Sequence, residues 1–376
     1  MIFAAIDVGS NTIHLLVAEC NGRTLASLVD QSARLRLGAD VARGRAITPS
    51  KMALAATTVS DYVITAQQHR AQTILLMGTQ AVRAATNGPD LVRTIERATG
   101  LPLKVLSPKA EARLGCLGTQ LDAPDAEPHL ILDIGGGSTQ LSLAEGSDQL
   151  RFLGSLPVGS VSLATRFLLH DPPTKHARSQ LEPAVRDAVA AISLADPPAS
   201  SGQATAGAKQ TGERSVGTAI EAPVSPRSPG HGNAGEQPGE ECGGTASTPG
   251  HSYADEPAGQ PSGGVAADSP SAPGYGIIIG GVGRRLRKAG RLSSGEPLVR
   301  LWVERLVDAV MSVSAETLEV LGAARKEDVD MIRSGAVILR EVMHAYGLQY
   351  CLVSNNGIRE GAVLALARGE EVDDGC

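Results

Sequence analysis

Aromatic residues are almost missing from this chain. Phe, Tyr and Trp make up 2% of its 376 residues, so any core must be aliphatic, packed from Leu, Val, Ile and Ala. Cysteine is also sparse. Cys20, Cys116, Cys242, Cys351 and Cys376 are scattered, odd in number and form no C-x-x-C pair. That argues against a disulfide scaffold and a zinc site and fits a reducing, cytoplasmic setting. No apolar run reaches the ~18 residues that a membrane-spanning helix needs. The apolar N-terminus carries Asp7 and lacks a basic flank, so it reads as a strand, not a signal peptide. Positive charge is not in surplus. The formal net charge is −6, which argues against general nucleic-acid binding and leaves an anionic ligand to local basic groups and metal. There is no Walker A sequence and no Ser-His-Asp arrangement.

Against these absences stand two glycine-rich loops, Asp7-Val-Gly-Ser-Asn-Thr12 and Asp133-Ile-Gly-Gly-Gly-Ser-Thr139. Each follows an apolar run, Ile2-Phe-Ala-Ala-Ile6 or Leu130-Ile-Leu132, that reads as a buried strand. Glycine lets the backbone approach a ligand without a Cβ in the way. Successive N–H groups of Gly9, Ser10, Asn11 and Thr12, and of Gly135, Gly136, Gly137, Ser138 and Thr139, would make nests for phosphate oxygens. Asp7 and Asp133 cannot serve an anion directly. They make sense with a Mg²⁺ between carboxylate and phosphate. Two such loops about 125 residues apart predict a duplicated domain with a phosphate clamped between its halves.

Strand-like and helix-like segments alternate along the chain, which predicts an α/β architecture. Helices are expected over 50–70, with Ser50 as N-cap, and over 89–98, 108–120 and 173–194, then at 296–312, 314–321, 329–346 and 358–368. Strands are expected at Ile13–Ala18, Thr73–Met77, Leu103–Leu106, Leu141–Ala144 and Tyr350–Val353. Ile277-Ile-Ile279 reads as a strand running into a Gly280–Gly283 loop. Residues 197–276 are dense in Gly, Pro, Ser, Thr and Ala and cannot bury enough surface to offset their ordering entropy. They read as a disordered insertion. A tolerated surface-loop expansion is the more economical account, and a partner-binding element the alternative.

Glu111 falls in the first turns of a helix after a strand. There it could activate a water for attack on phosphorus, or simply complement the helix N-terminus. Arg83 could fork onto phosphate oxygens or be a solvated helix arginine, and Arg34 and Arg36 share that ambiguity. The basic cluster Gly283–Arg291 could line a route for a polyanion, although a solvated helix face is the simpler reading. His14 has no partner at ligand spacing and reads as structural.

Taken in order, these motifs resemble the exopolyphosphatase/guanosine pentaphosphate phosphohydrolase (Ppx/GppA) family, in its short form. The matching segments are Ala4–Thr12, Arg34–Gly38, Thr79–Asn87, Glu111–Leu114, Leu132–Thr139, Val158–Leu163 with Asp171-Pro-Pro173, Arg325–Gly335 and Val353–Gly361. The resemblance implies the actin/Hsp70/sugar-kinase (ASKHA) fold, with two duplicated α/β domains and an active cleft between them. The first domain would be residues 1–122 with the C-terminal helix, 358–376; the second would be 123–357, interrupted by 197–276. It also implies release of terminal phosphate from polyphosphate, or hydrolysis of pppGpp to ppGpp, with Mg²⁺ or Mn²⁺ as cofactor. By that resemblance Glu111 is the catalytic base, Asp133 the catalytic metal-side carboxylate aided by Asp7, and Arg83 the phosphate ligand. A homodimer is implied as well.

Two positions depart from the family pattern. The second loop usually ends Ser-Thr-Glu, but here Gln140 follows Thr139. By the resemblance Gln140 would be a catalytic auxiliary, able to hydrogen-bond a water or phosphate but lending a metal no charge. The Gly280–Arg285 segment replaces a Gly-Thr step with Gly-Gly-Val-Gly-Arg-Arg, which either binds phosphate or blocks a nucleotide pocket. These departures motivate an alternative, a (p)ppGpp or polyphosphate sensor without turnover. A third reading, a sugar or acetate kinase, would need an adenosine pocket where the two arginines stand.

Overall fold

The computed structural model describes residues 1–122, 128–145, 149–192 and 273–372. Residues 197–272 of the expected insertion, the start of the expected second domain at 123–127, and 373–376 lie outside the described residues. All described residues belong to one compact unit, built on two sheets.

The first lobe runs β1 (Ile2–Val8), β2 (Thr12–Cys20), β3 (Leu25–Arg34), α1 (Leu37–Gly44), α2 (Pro49–Gln68), β4 (Thr73–Gly78), α3 (Gln80–Ala84), α4 (Gly88–Thr99), β5 (Leu103–Val105) and α5 (Pro108–Thr119). The second lobe comprises β6 (His129–Ile134), β7 (Thr139–Ala144), β8 (Leu150–Leu156), α6 (Ser160–Phe167), α7 (Lys175–Ala190), β9 (Tyr275–Ile279), α8 (Gly280–Ala289), β10 (Leu298–Val299), α9 (Arg300–Ser312), α10 (Ala315–Val320), α11 (Val329–Ala345) and β11 (Tyr350–Val353). The last helix, α12 (Ile358–Arg368), returns to the first lobe, where it packs against α5, β1 and β2.

The two sheets repeat one plan. The first has the order β3-β2-β1-β4-β5, the second β8-β7-β6-β9-β11 with β10 added at its edge. In each, three antiparallel strands are followed by two parallel ones. Helices cover the centre of the second sheet, α8 on β6 and α5 on both β6 and β7, so β6 and β7 are buried at every position. Among the described residues this equivalence supports the duplicated ASKHA fold. It also places Asp7 and Asp133 at matching strand ends, opposite His14 on β2 and Gln140 on β7.

Three expectations need correction. Helix α2 begins at Pro49 and its N-cap is Thr48, not Ser50. A proline at the first helical position has φ preset for the turn, and the Thr48 hydroxyl donates to Asp40 at 2.9 Å. The strand expected from Ile277 begins at Tyr275, inside the expected insertion, because Tyr275 and Gly276 pair with His129 and Leu130. The Tyr275 ring stacks between those of His129 and Tyr350. Finally, Gly280–Gly283 is the first turn of α8 and not a loop. Gly280, at φ +84°, turns the chain off the strand, and Val282 and Leu286 bury the helix's inner face.

Candidate active site

A cleft of about 500 Å³ opens between the lobes, and both glycine loops line it. The loops are built alike. The N–H of Gly9 donates to the Thr12 carbonyl at 3.2 Å, and that of Gly135 to the Ser138 carbonyl at 2.9 Å. A Cβ on either glycine would lie 2.9 Å from the same carbonyl oxygen, so only glycine fits each turn. Behind the loops, the N–H of Gly38 donates to the Ser10 carbonyl, and those of Ser160 and Val161 to the Gly135 and Gly136 carbonyls. With carbonyls engaged behind, amide groups are what the loops have left to offer a ligand. The loops also meet each other. A Cβ on Gly136 would stand 3.0 Å from Ser10 Cβ, and one on Gly137 2.9 Å from Ser10 Oγ. Ser10 Oγ in turn donates to Gln80 Oε1 at 3.0 Å.

Of the residues predicted to bind phosphate, Gly9–Thr12 and Gly135–Ser138 line the cleft. Thr139 lies behind it. It is fully buried, and its hydroxyl donates to the Val158 carbonyl at 2.8 Å.

Asp7, Asp133 and Glu111 meet on the floor, where the buried Glu360 also lines the cleft and adds to the charge felt by Asp7. Burial pushes Asp7 up to about 7, and the neighbouring charge of Glu111 adds to this. Burial likewise pushes Asp133 up to about 8, with Glu111 and then Asp7 raising it further. Burial also raises Glu111, against the opposing pull of Arg83. Asp7 Oδ1 is buried without a hydrogen-bond partner.

Three mutually repelling acids in a buried floor are what a cation would relieve. Among the described residues, no three His, Cys, Asp or Glu side chains converge closely enough to hold a metal unaided. Mg²⁺ does not need that, because it typically takes one or two carboxylates and completes its shell with water and substrate phosphates. Asp133 and Asp7 therefore fit this ion.

Glu111 is held from both sides. Ser107 caps α5, accepting from the Ala110 N–H at 3.0 Å, and Pro108 opens the helix, so Glu111 falls in its first turn. Arg83 donates to Glu111 Oε1 at 2.5 Å and also to the Leu106 carbonyl. Gln140, 2% exposed, donates to Glu111 Oε2 at 3.1 Å and to Ser138 Oγ at 2.9 Å. Arg83 is thus engaged with Glu111. It lines a separate depression with Val82, Pro89 and Val92 and is not among the residues lining the main cleft.

The cleft wall also takes in His14 and Arg359, which had no functional reading in the sequence, and part of the α8 basic cluster, which did. His14 faces the cleft, and burial, then Arg359 and Arg284, push it down to about 3, leaving a neutral imidazole. Its signal is the strand register that sets it opposite Asp7. The basic cluster on α8 divides. Arg284, Arg285 and Lys288 line the cleft, whereas Arg287 and Arg291 bond Asn355 and the Leu321 carbonyl. Arg359, on α12, also lines the cleft and pairs with Asp30 at 2.6 Å. Arg325 and Asp328 complete the wall opposite the floor.

The model of the Ppx/GppA phosphatase family matches residues 16–217, more than half of the chain. A relative from Streptomyces coelicolor, an uncharacterized protein, is 33% identical over 196 residues, which is 50% of this chain; the match spans 58% of that relative's length. Among solved structures, an exopolyphosphatase from Cytophaga hutchinsonii superposes with a TM-score of 0.70 at 17% identity, covering 99% of this chain and 100% of that one. The Aquifex aeolicus Ppx/GppA enzyme does so with a TM-score of 0.64, also at 17% identity, covering 97% and 99%. At that identity the superpositions establish a shared fold.

Proposed function

Because this chain belongs to the Ppx/GppA phosphatase family, we propose that it hydrolyses a terminal phosphoanhydride, releasing phosphate from polyphosphate or converting pppGpp to ppGpp. The observation that carries this reading is the convergence of Glu111, Asp7 and Asp133 at the floor of a cleft walled by two equivalent glycine loops.

The loop amides of residues 10–12 and 136–138 hold the oxygens of the terminal phosphate, those of Gly9 and Gly135 being used within the loops. Asp133 and Asp7 hold Mg²⁺, which supplies charge neutralisation on the phosphate oxygens when bound. Glu111 accepts a proton from the attacking water while the new P–O bond forms and the bridging P–O bond to the rest of the chain breaks. The proton stays on Glu111, and the electron pair of the broken bond leaves with the shortened chain. Arg83 and Gln140 each occupy one oxygen of Glu111, so the carboxylate cannot swing and is kept as an acceptor. Phosphoryl transition states are loose, so positioning and electrostatics provide most of the acceleration.

The test is phosphate release from polyphosphate and from pppGpp, with Mg²⁺ or Mn²⁺ supplied and then chelated. Glu111→Gln is expected to lower kcat by about 10²- to 10⁴-fold with little change in KM, and chelation to abolish turnover. Undiminished release by Glu111→Gln would remove the base from the mechanism. No release from either substrate, with both still bound, would leave a sensor in place of an enzyme.

A further inference from the structure

The cleft is electrically two-sided. Acidic groups form its floor, and α8 presents Arg284 and Lys288 to it, four residues apart and so on one helix face. Arg284 is the deeper of the two. Burial and then the Arg359 guanidinium lower its proton affinity, the Glu360 carboxylate works against them, and Arg285 adds to the lowering; its charge in turn draws Asp133 down. Its one hydrogen bond among the described residues goes to the Asn355 carbonyl, at 3.1 Å. None of the ion pairs among the described residues includes Arg284, whereas Arg285 is paired with Asp328 at 3.0 Å. A half-buried guanidinium beside Arg359 and Arg285, with no carboxylate in ion-pair contact, gains from an anion that joins it. Lys288 is exposed and lies one turn nearer the mouth. The two cations therefore form a row leading outward from the floor.

We propose that α8 carries the phosphate chain of the substrate. Arg284 binds the phosphate next to the one held at the floor, and Lys288 binds one further out. The site thereby selects a linear condensed phosphate over a phosphorylated nucleoside. This rests on the phosphohydrolase reading above. No Phe, Tyr or Trp is among the described residues lining the cleft, so a nucleobase meets no aromatic ring to stack on, while each added phosphate meets a cation.

The test is calorimetric titration in magnesium buffer, on full-length Glu111→Gln protein so that ligand is not consumed. Inorganic tripolyphosphate, a longer linear polyphosphate and pppGpp are the probes. Adding Arg284→Ala should weaken tripolyphosphate about tenfold or more, as expected for one lost charge-assisted hydrogen bond. Arg284→Lys should recover part of that loss, which separates a lost phosphate contact from a damaged fold. Lys288→Ala should leave tripolyphosphate unaffected and remove the gain in affinity that the longer chain shows. pppGpp should bind no tighter than tripolyphosphate.

Four results would each overturn the proposal: no tripolyphosphate binding by the parent, unchanged binding by Arg284→Ala, a full chain-length gain in Lys288→Ala, or pppGpp bound tighter than tripolyphosphate. The expected binding pattern in a protein whose native Glu111 form releases no phosphate would end the hydrolase reading and leave the chain-binding row standing.

Discussion

At the scale of single residues, the cleft stores electrostatic conflict. Asp133 and Asp7 bind their protons more tightly in the folded chain than in the unfolded one, with values near 8 and 7 against an ordinary 3.8. Their contribution to stability is complete below about pH 4 and is lost as pH rises through 7 to 8. His14 acts in the opposite sense. Its value is near 3 in the fold against an ordinary 6.5, so its contribution is present above about pH 6.5 and lost as pH falls toward 3. Asp133→Asn removes the ionisable group and keeps its shape. In metal-free protein it should therefore raise unfolding free energy more at pH 8 than at pH 5, by about 2 kcal/mol after discounting for relaxation, while lowering phosphatase activity. Urea titrations at the two pH values measure the difference. An equal effect at both would show that Asp133 carries no such strain. Gln140 belongs to the same logic. A carboxylate at that position would add a further negative charge beside Glu111, whereas the amide donates to it.

At the scale of elements, most of the fold is legible in the sequence because apolar periodicity reports burial directly. The end of the chain shows this well: strand Tyr350–Val353 and helix Ile358–Arg368 are where the pattern puts them. Strand β3 is not legible, because it is an edge strand exposed or half-buried along its whole length and carries no buried alternation. The first turn of α8 is hidden by three glycines that favour a loop reading locally and are overruled by packing. Gly283 has Ile278 Cγ2 2.8 Å from where its Cβ would be. Glycine has the same use between α5 and α12. Gly361 faces the Leu114 carbonyl, and Gly118 faces Gly357 backbone, both too close to admit a Cβ. Helix α12 thereby sets the height of α5, and α5 carries Glu111 in its first turn. Gly361→Ala must push the two helices apart against backbone. We expect a stability loss of about 1–3 kcal/mol. In protein that remains folded, kcat should fall with KM little changed, because Glu111 moves while the phosphate loops stay. A fall in KM-dependent binding alone would point to the loops instead.

At the scale of the whole molecule, the site exists only while the two lobes are held together, and that is what the sequence shows least. Its members come from strand ends and helix starts as far apart as Asp7 and Arg359. One bridge sits at the edge of the cleft. Asp328 in the second lobe accepts from Arg34 at the end of β3 in the first lobe, and from Arg285 and Arg325 in its own. Burial works to raise the Asp328 pKa, but Arg285, Arg325 and Arg34 outweigh it and hold the carboxyl below its ordinary value. Deep in the same cleft, Ser10 packs against Gly136 and Gly137 without any room to spare. Removing the bridge by Arg34→Ala should cost about 1 kcal/mol of global stability, since Arg34 is partly exposed. Its larger effect should be on how often the lobes separate. Each separation uncovers both phosphate loops at once, so hydrogen exchange at residues 9–12 and 135–138 should quicken together; residues 135–138 are the telling segment, because Thr12 already pairs with Arg34 across the β2–β3 ladder. Faster exchange confined to the β3 end and the first loop bonded to it would mean that the Arg34–Asp328 pair acts only locally. Coupled exchange in both loops would mean that it sets the population of the closed cleft, and with it the fraction of molecules able to clamp a phosphate.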